Sequence, residues 1–279
     1  MQVKKWINEG FSDYELVDAG GGLKFERWKN VHTIRPELQA YFKSEHSLSN
    51  WKAKSNLEFS EGKNQSGVWK GEPNKWHINY ENLTLKLECT KFKHVGIFPE
   101  QAINWTYIKS HLDASKRFLN LFAYTGVASL VARSTGAEVV HVDSVKHLIS
   151  WAKENMELSN LSEIKWVLED ALKFAQREAK RGNKYDGIVM DPPAWGIGAK
   201  GEKWKIEQKL PELIEVASQL LNPGGFLILN TYSPRVSIET IRGITENHFP
   251  ESNMEVGELW SVSTTKKRLF HGYLMRVVK

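Results

Sequence analysis

The sequence predicts an α/β protein: a mostly parallel sheet with helices on both faces, preceded by a small β-rich α+β module. Three observations carry this. From residue 116 onward, near-continuous Val, Ile and Leu runs alternate with helix-patterned segments, as in parallel sheets built from strand–helix–strand crossovers. Before residue 98 the apolar pieces are shorter, alternate with polar residues and are broken by Gly, Asn, Pro and Ser, the pattern of half-buried strands joined by turns. The length, 279 residues, is enough for one large domain or two smaller ones with a real core. The expected division is 1–98 for the β-rich module and 99–279 for the α/β domain.

In the first module, LKFERW (23–28), SGVWKGE (66–72), WHINY (76–80) and LTLKLEC (83–89) read as strands, with EPNK (72–75) as a turn and a helix expected over 36–43. The second region opens with the buried-strand run KRFLNLF (116–122), then a helix over 127–134. AEVVHVD (137–143), IKWVLED (164–170), YDGIVMDPP (185–193) and GGFLILN (224–230) are the next strands. Helical periodicity fills 148–158, 171–181, 210–221 and 238–247 between and after them. Two late strands, 254–261 and 268–277, have no helix between them and predict an antiparallel hairpin at the sheet edge.

Composition narrows the function. Cys89 is the single cysteine, so no intrachain disulfide, Cys-rich zinc site or Cys-ligated cluster can form within this chain. That usage, with no apolar run of membrane-spanning length and no signal-like start, points to a reducing cytoplasm. Lys and Arg exceed Asp and Glu by 38 to 33, a net charge of +5. This permits a nucleic-acid partner without requiring one. Of the 11 tryptophans, Trp6, Trp28, Trp51, Trp69 and Trp76 fall in the N-terminal region. They could form a stacking face for RNA, but the expectation is that most anchor the small β core. His94 and His271 are isolated and read as structural or surface residues.

In open parallel sheets, ligands bind beyond the carboxyl ends of the strands. Those ends here are FAYTG (122–126), Asp143, Glu169 with Asp170, Asp191 with Pro192 and Pro193, and NTYS (230–233). One acid at one strand end is ordinarily a helix cap; a series is harder to explain that way. Asp143 follows Gly126 by 17 residues, near the roughly 20-residue step at which an acid meets a ribose in Rossmann-like sites. A carboxylate can accept from both hydroxyls of a diol. The triple-glycine phosphate loop is absent, so an adenosyl cofactor without a pyrophosphate fits better than a dinucleotide. Gly126 permits close backbone approach. Asp191-Pro192-Pro193 makes a rigid turn, because proline fixes φ and restricts its predecessor. Trp195 follows and is able to stack on a planar ring.

Together, KFERW (24–28), RPELQA (35–40), KHVGIFPEQAINW (93–105), FLNLFAYTGVASL (118–130), HVDSVKHLISWAKENMELSNL (141–161), EDALKF (169–174) and DPPAWG (191–196) resemble class I S-adenosylmethionine-dependent methyltransferases. The nearer likeness is to the branch that modifies large-subunit ribosomal RNA with a β-rich N-terminal module. The resemblance implies a Rossmann-like, mostly parallel seven-stranded sheet and S-adenosyl-L-methionine as cofactor. It places Asn120, Phe122, Tyr124, Thr125 and Gly126 under the methionine part, Asp143 and Ser144 at the ribose, and Glu169, Asp170 and Ala171 at the adenine. Phe98 and Gln101 would close over the cofactor. Asp191, Pro192 and Pro193, with Trp195, would line the gap between methyl group and target. Many relatives have Asp where Asn120 stands and Gly where Tyr124 stands.

Methyl transfer from a sulfonium is an in-line displacement that depends on positioning and needs no metal. Methylation at a pyrimidine carbon would require a cysteine adduct, and NTYSPR (230–235) has no thiol; Cys89 reads as a core residue. An aromatic directly after Asp-Pro-Pro, usual for adenine-N6 acceptors, is replaced by Ala194. The following loop carries Lys200, Lys203, Trp204 and Lys205, cations and an aromatic suited to phosphate and base. The tail TTKKRLFHG (264–272) is also basic but reads at least as well as a solvated hairpin. The expected function is methyl transfer to structured RNA, with ribosomal RNA foremost and no membrane partner. A small-molecule acceptor and a non-catalytic RNA-binding role are the alternatives; the oligomeric state is left open.

Overall fold

The computed structural model describes residues 3–62, 66–197 and 203–279. In chain order the first elements are β1 (Lys4–Asn8), β2 (Tyr14–Gly20), β3 (Leu23–Trp28), β4 (Val31–Pro36), α1 (Leu48–Lys54), β5 (Leu57–Glu61), β6 (Gly67–Gly71), β7 (Lys75–Tyr80) and β8 (Leu83–Glu88). After a 3-10 turn at Pro99–Gln101 come α2 (Ala102–His111), β9 (Arg117–Leu121), α3 (Val127–Ser134), β10 (Glu138–Asp143), α4 (Lys146–Leu158), β11 (Ile164–Leu168), α5 (Ala171–Lys180) and β12 (Tyr185–Met190). The chain closes with β13 (Trp195–Ile197), β14 (Lys203–Lys205), α6 (Ile206–Leu220), β15 (Leu221–Thr231), α7 (Ile238–His248), β16 (Asn253–Val262) and β17 (Arg268–Val278). These form two compact units. One comprises Met1–Trp6, Asn104–Glu258 and Gly272–Lys279, the other Ile7–Ile103 and Leu259–His271. The linear division at residue 98 becomes two discontinuous bodies, because strands distant in sequence pair with one another. No helix among the described residues is long and apolar enough to cross a membrane.

The unit built on Ile7–Ile103 holds a five-stranded sheet, β2-β3-β4-β5-β6, and the hairpin β7-β8. β4 and β5 run parallel, since α1 provides the crossover between them. The helix expected over 36–43 is not formed. Pro36 ends β4, and the following segment turns back so that Phe42 and Ala40 carbonyls accept from Gly21 and Gly22 N–H at 2.8 Å each. The helix starts later, at Leu48, where the Ser47 hydroxyl caps Asn50 N–H. Trp28, Trp51 and Trp76 are buried, as the core-anchoring expectation required. Trp28 Nε1 donates to Thr33 at 2.9 Å. A buried ionic cluster centres on Glu26, which accepts Arg35 Nε at 2.5 Å and Nη2 at 2.8 Å, and the Tyr14 hydroxyl at 3.0 Å. Burial alone would raise the Glu26 carboxyl, but Arg35 and Lys24 outweigh it and hold it near 2.

The other unit is built on a sheet of order β1-β16-β17-β15-β12-β9-β10-β11. The five strands from β15 to β11 are parallel to their neighbours, and β17 joins β15 antiparallel. Seven strands match the expected sheet. The eighth, β1, covers the edge where the β16–β17 pair was expected to end it. Its place is prepared by Gly257, where a Cβ would meet the Lys4 carbonyl at 2.2 Å, and Lys5 pairs with Glu258 at 3.6 Å. Apolar faces of α5, α6 and α7 pack on the sheet: Leu172, Phe174, Leu210, Leu213, Ile214 and Ile241 meet Leu119, Leu121, Ile188, Met190 and Leu229 in one buried cluster. Each such side chain contributes about 2 kcal/mol. A register shift between Tyr185 and Gly187 lets β15 absorb Asn222–Gly225. Strand order reverses between β9 and β12, so their carboxyl ends flank the switch point at which a ligand sits in this topology.

Candidate active site

The β9 end carries the tightest backbone. Phe122 and Tyr124 both take left-handed φ, 58° and 52°, and Gly126 has φ 90°. Non-glycine residues in that region cost on the order of 1–3 kcal/mol each and cluster at functional sites. Gly126 is required twice over: by its φ, and because a Cβ there would lie 2.9 Å from Ala152 Cβ and 3.3 Å from the His141 ring. The loop is fixed from behind. Buried Asn155 donates to the Thr125 carbonyl at 3.0 Å, and Ala123 N–H reaches the Val142 carbonyl at 3.0 Å.

Asp143 ends β10 and faces this loop. Its Oδ2 accepts Tyr124 N–H and its Oδ1 accepts Val145 N–H, both at 2.9 Å. Only 8% of the residue is exposed. Desolvation raises its carboxyl above the ordinary value despite the backbone N–H groups of Val145, Tyr124 and Ser144 that favour the charge. A carboxylate has about four acceptor sites, more than these three N–H groups fill, and a sugar hydroxyl is a donor of the kind that suits what is left. Ser144 beside it is half-buried.

Asn120 does not face solvent. It is buried and donates Nδ2 to Ser129 Oγ at 2.9 Å, and Ser129 lies 3.1 Å from His141 Nδ1. Burial pushes the His141 imidazole down to about 3, so it is neutral. Sequence reasoning missed Ser129, His141 and Asn155; the Gly126 contact to His141 becomes visible only once the strands are paired.

The third strand end divides its acids. Asp170 caps α5, accepting Lys173 N–H at 2.9 Å, the ordinary role of an acid at that position. Glu169 forms a fork with Arg177, with Nη1 at 2.6 Å from Oε1. Ala171 is buried. At β12, Asp191 is half-buried, Pro192 buried and Pro193 exposed. The segment after this turn folds back on it as the antiparallel pair β13–β14, Trp195 opposite Lys205 and Gly196 opposite Trp204. Trp204 is therefore buried (8% exposed), donating Nε1 to the Pro193 carbonyl at 2.6 Å with its ring 5.0 Å from Phe122. It clamps the Asp-Pro-Pro turn rather than offering a free stacking face. Trp195 is 59% exposed. Lys203 is exposed and Lys205 half-buried; Lys200 lies outside the described residues. Beside the turn is a cleft of about 250 Å³ lined by Ala194, Trp195, Lys205, Glu207, Ser233 and Arg235. Glu207 and Arg235 are paired at 3.2 Å; neither carried a sequence signal of its own. Phe98 and Gln101 lie in the other compact unit, where Phe98 packs 5.0 Å from His94 and its carbonyl accepts Gln101 N–H at 3.0 Å. Cys89, in that same unit, is half-buried and burial pushes its thiol up to about 11.

A reversed-order parallel sheet, a strained glycine turn after its first strand, a buried acid ending the second and an Asp-Pro-Pro turn ending the fourth define a nucleoside-cofactor enzyme of the Rossmann-like methyltransferase class. The chemistry of these residues fits the cofactor of that class: the Asp143 carboxylate keeps acceptor capacity of the kind a ribose diol meets. The sequence pattern of the S-adenosylmethionine-dependent methyltransferase family matches residues 57–263. The chain belongs to that family, and its cofactor is S-adenosylmethionine. A solved S-adenosylmethionine-dependent methyltransferase from Agrobacterium tumefaciens is similar over 99% of this chain and 93% of its own, at 33% identity and a TM-score of 0.92. Among curated proteins, the ribosomal RNA large subunit methyltransferase K/L of Syntrophotalea carbinolica is 29% identical over 68% of this chain and 28% of its own length. The ribosomal RNA large subunit methyltransferase I of Aeromonas salmonicida is 30% identical over 81% of this chain and 56% of its own. The chain thus spans between about a quarter and somewhat over half of these curated relatives.

Proposed function

We propose that this protein transfers a methyl group to structured RNA, with ribosomal RNA as the favoured acceptor, without a cysteine nucleophile and in the cytoplasm. S-adenosylmethionine supplies an electrophilic methyl when bound. Asp143 accepts the ribose hydroxyls, with Ser144 beside it. The Phe122–Gly126 backbone, braced by Asn155 and by the Asn120–Ser129–His141 network, shapes the floor under the methionine part. Ala171 and the half-buried Asp170 and Glu169 border the adenine. Asp191 and the carbonyls of Pro192 and Pro193 orient the acceptor and offer oxygen dipoles to developing positive charge. Trp195 stacks the target base at the rim of the cleft, while Lys203 and Lys205 meet phosphates. Trp204 acts through Pro193 as a positioning residue.

The observation that carries this reading is Asp143: a buried carboxylate ending β10, tethered by Val145 N–H and by the Tyr124 N–H of the β9 turn, which flanks the switch point with the Asp-Pro-Pro turn. The names of the curated relatives favour ribosomal RNA. The absence of a cysteine adduct rests on Cys89, whose raised thiol pKa leaves little thiolate at neutral pH. Purified protein, isotopically labelled methyl donor and ribosomal RNA from cells lacking the gene form the test. Label in a single modified nucleoside, found by mass spectrometry, is the expected result. Label that enters only small metabolites when extract is supplied would overturn the RNA acceptor.

A further inference from the structure

The basic turn joining β16 to β17 is firmly mounted. Thr264 donates its N–H to the Leu16 carbonyl at 2.9 Å and its hydroxyl to the Val17 carbonyl at 2.8 Å. Thr265 donates its hydroxyl to Asp18 Oδ1 at 2.7 Å. Asp18 has no exposed surface. Its carboxylate also accepts Ala19 N–H at 2.9 Å, His46 N–H at 2.9 Å, Glu45 N–H at 3.4 Å and Trp51 Nε1 at 3.3 Å. Burial opposes this charge, yet the hydrogen bonds hold its carboxyl below the ordinary value. One buried acid therefore fastens the 263–267 turn, the 37–47 segment and helix α1 together. Lys267 adds an ion pair to Glu45 at 3.3 Å.

The exposed side chains of these fastened segments have a particular chemistry. Tyr41 is 85% exposed and Leu38 is 83% exposed, the highest values for large hydrophobic side chains among the described residues. Lys43, Lys266 and Arg268 are solvent-facing on the same two segments, and Lys266 is held at a left-handed φ of 66°. An aromatic left in water costs solubility and contributes nothing to the core, while cations on the same two fastened segments match a phosphate chain. Such a combination, on a support that does not have to be ordered at binding, is what a single strand recognises through stacking and charge. An acidic polypeptide would use the cations and have no need of the ring.

We propose that Tyr41, Lys43, Lys266 and Arg268, mounted on Asp18, bind single-stranded RNA and capture substrate through residues separate from those at the strand ends. The inference rests on the RNA reading above. It is tested on the full chain by fluorescence anisotropy with labelled oligouridylate across a salt series. The variant K43Q/K266Q/R268Q is expected to weaken binding at least about tenfold and to lower the salt slope by about 2, from about 0.7 per phosphate contact. Tyr41→Ala is expected to weaken binding roughly tenfold, whereas Tyr41→Phe keeps it, since stacking needs the ring alone. S-adenosylhomocysteine affinity, measured by calorimetry, stays at the wild-type value in every variant and reports an intact fold. Wild-type binding retained by all variants with an unchanged salt slope overturns this surface and leaves the RNA reading standing. No binding of oligouridylate by the wild-type protein at low salt overturns the proposal, and no binding of ribosomal RNA under the same conditions overturns the RNA reading as well. Loss of polyglutamate binding in the triple variant with unchanged oligouridylate binding reassigns the surface to an acidic protein and also overturns the proposal.

Discussion

Asp143 is a buried acid at the end of a parallel strand. Its carboxylate is desolvated and held by the backbone N–H groups of Tyr124, Val145 and Ser144, so an Asn at that position keeps the shape and loses the charge. Asp143→Ala is expected to lower S-adenosylhomocysteine affinity by at least about tenfold, in line with the loss of a charge-assisted hydrogen bond; calorimetry measures it, and unchanged affinity would remove Asp143 from the site. Gly126 tests the turn. Alanine there meets both a φ of 90° and a Cβ contact of 2.9 Å to Ala152. It should cost roughly 1–3 kcal/mol, read as a fall of several degrees in Tm. Asp143, Gly126 and the Asp-Pro-Pro turn were legible in the sequence, because strand ends in an α/β pattern mark ligand positions. Asn120 was legible as a candidate, but its environment was not: its partner is Ser129, in the first turn of the following helix.

The β13–β14 pair folds back on the Asp-Pro-Pro turn. Its sequence, with glycines, lysines and Trp204, read as a basic loop with an aromatic for RNA. The folded pair turns Trp204 inward onto Phe122 and the Pro193 carbonyl, and leaves Trp195 outside. Trp204→Phe keeps a ring against Phe122 and removes the N–H. Its expected effect is a lower kcat with cofactor affinity near wild type, because the Asp-Pro-Pro turn loses its tether. Trp204→Ala should also cost about 3–5 kcal/mol of stability. Equal losses in kcat and cofactor binding for Trp204→Phe would argue against a positioning role. No sequence signal separated the two tryptophans: they differ in which side of a two-stranded ribbon they occupy, and that depends on the register of Trp195 opposite Lys205.

For the whole molecule, stability should depend on pH through buried groups in both units. His94 and His141 are each pushed down to about 3 by burial, from an ordinary 6.5. The unfolded chain therefore takes up protons that the folded one refuses. Their contribution is fully present above about 6.5 and is lost as pH falls toward 3. Glu26 and Glu37, held near 2 against an ordinary 4.5, add a second loss as pH falls from about 4.5 to 2. Thermal melts should show Tm declining in two stages, beginning below about pH 6.5. Replacing His94 by Gln should flatten the first stage, and a Tm constant down to about pH 5 would contradict the assignment.

The sequence by itself determined the α/β class, the run of strands and helices after residue 116, the strand-end acids and the family likeness. All of these follow from local periodicity and from residues adjacent in the chain. Tertiary structure alone decided that Lys4–Asn8 covers the sheet edge, that 36–43 is a returning loop, that Trp204 is a clamp and that Asp18 binds three segments. Each of these depends on hydrogen bonds or packing between residues far apart in the chain, where the energy of the partner, not local propensity, sets the outcome.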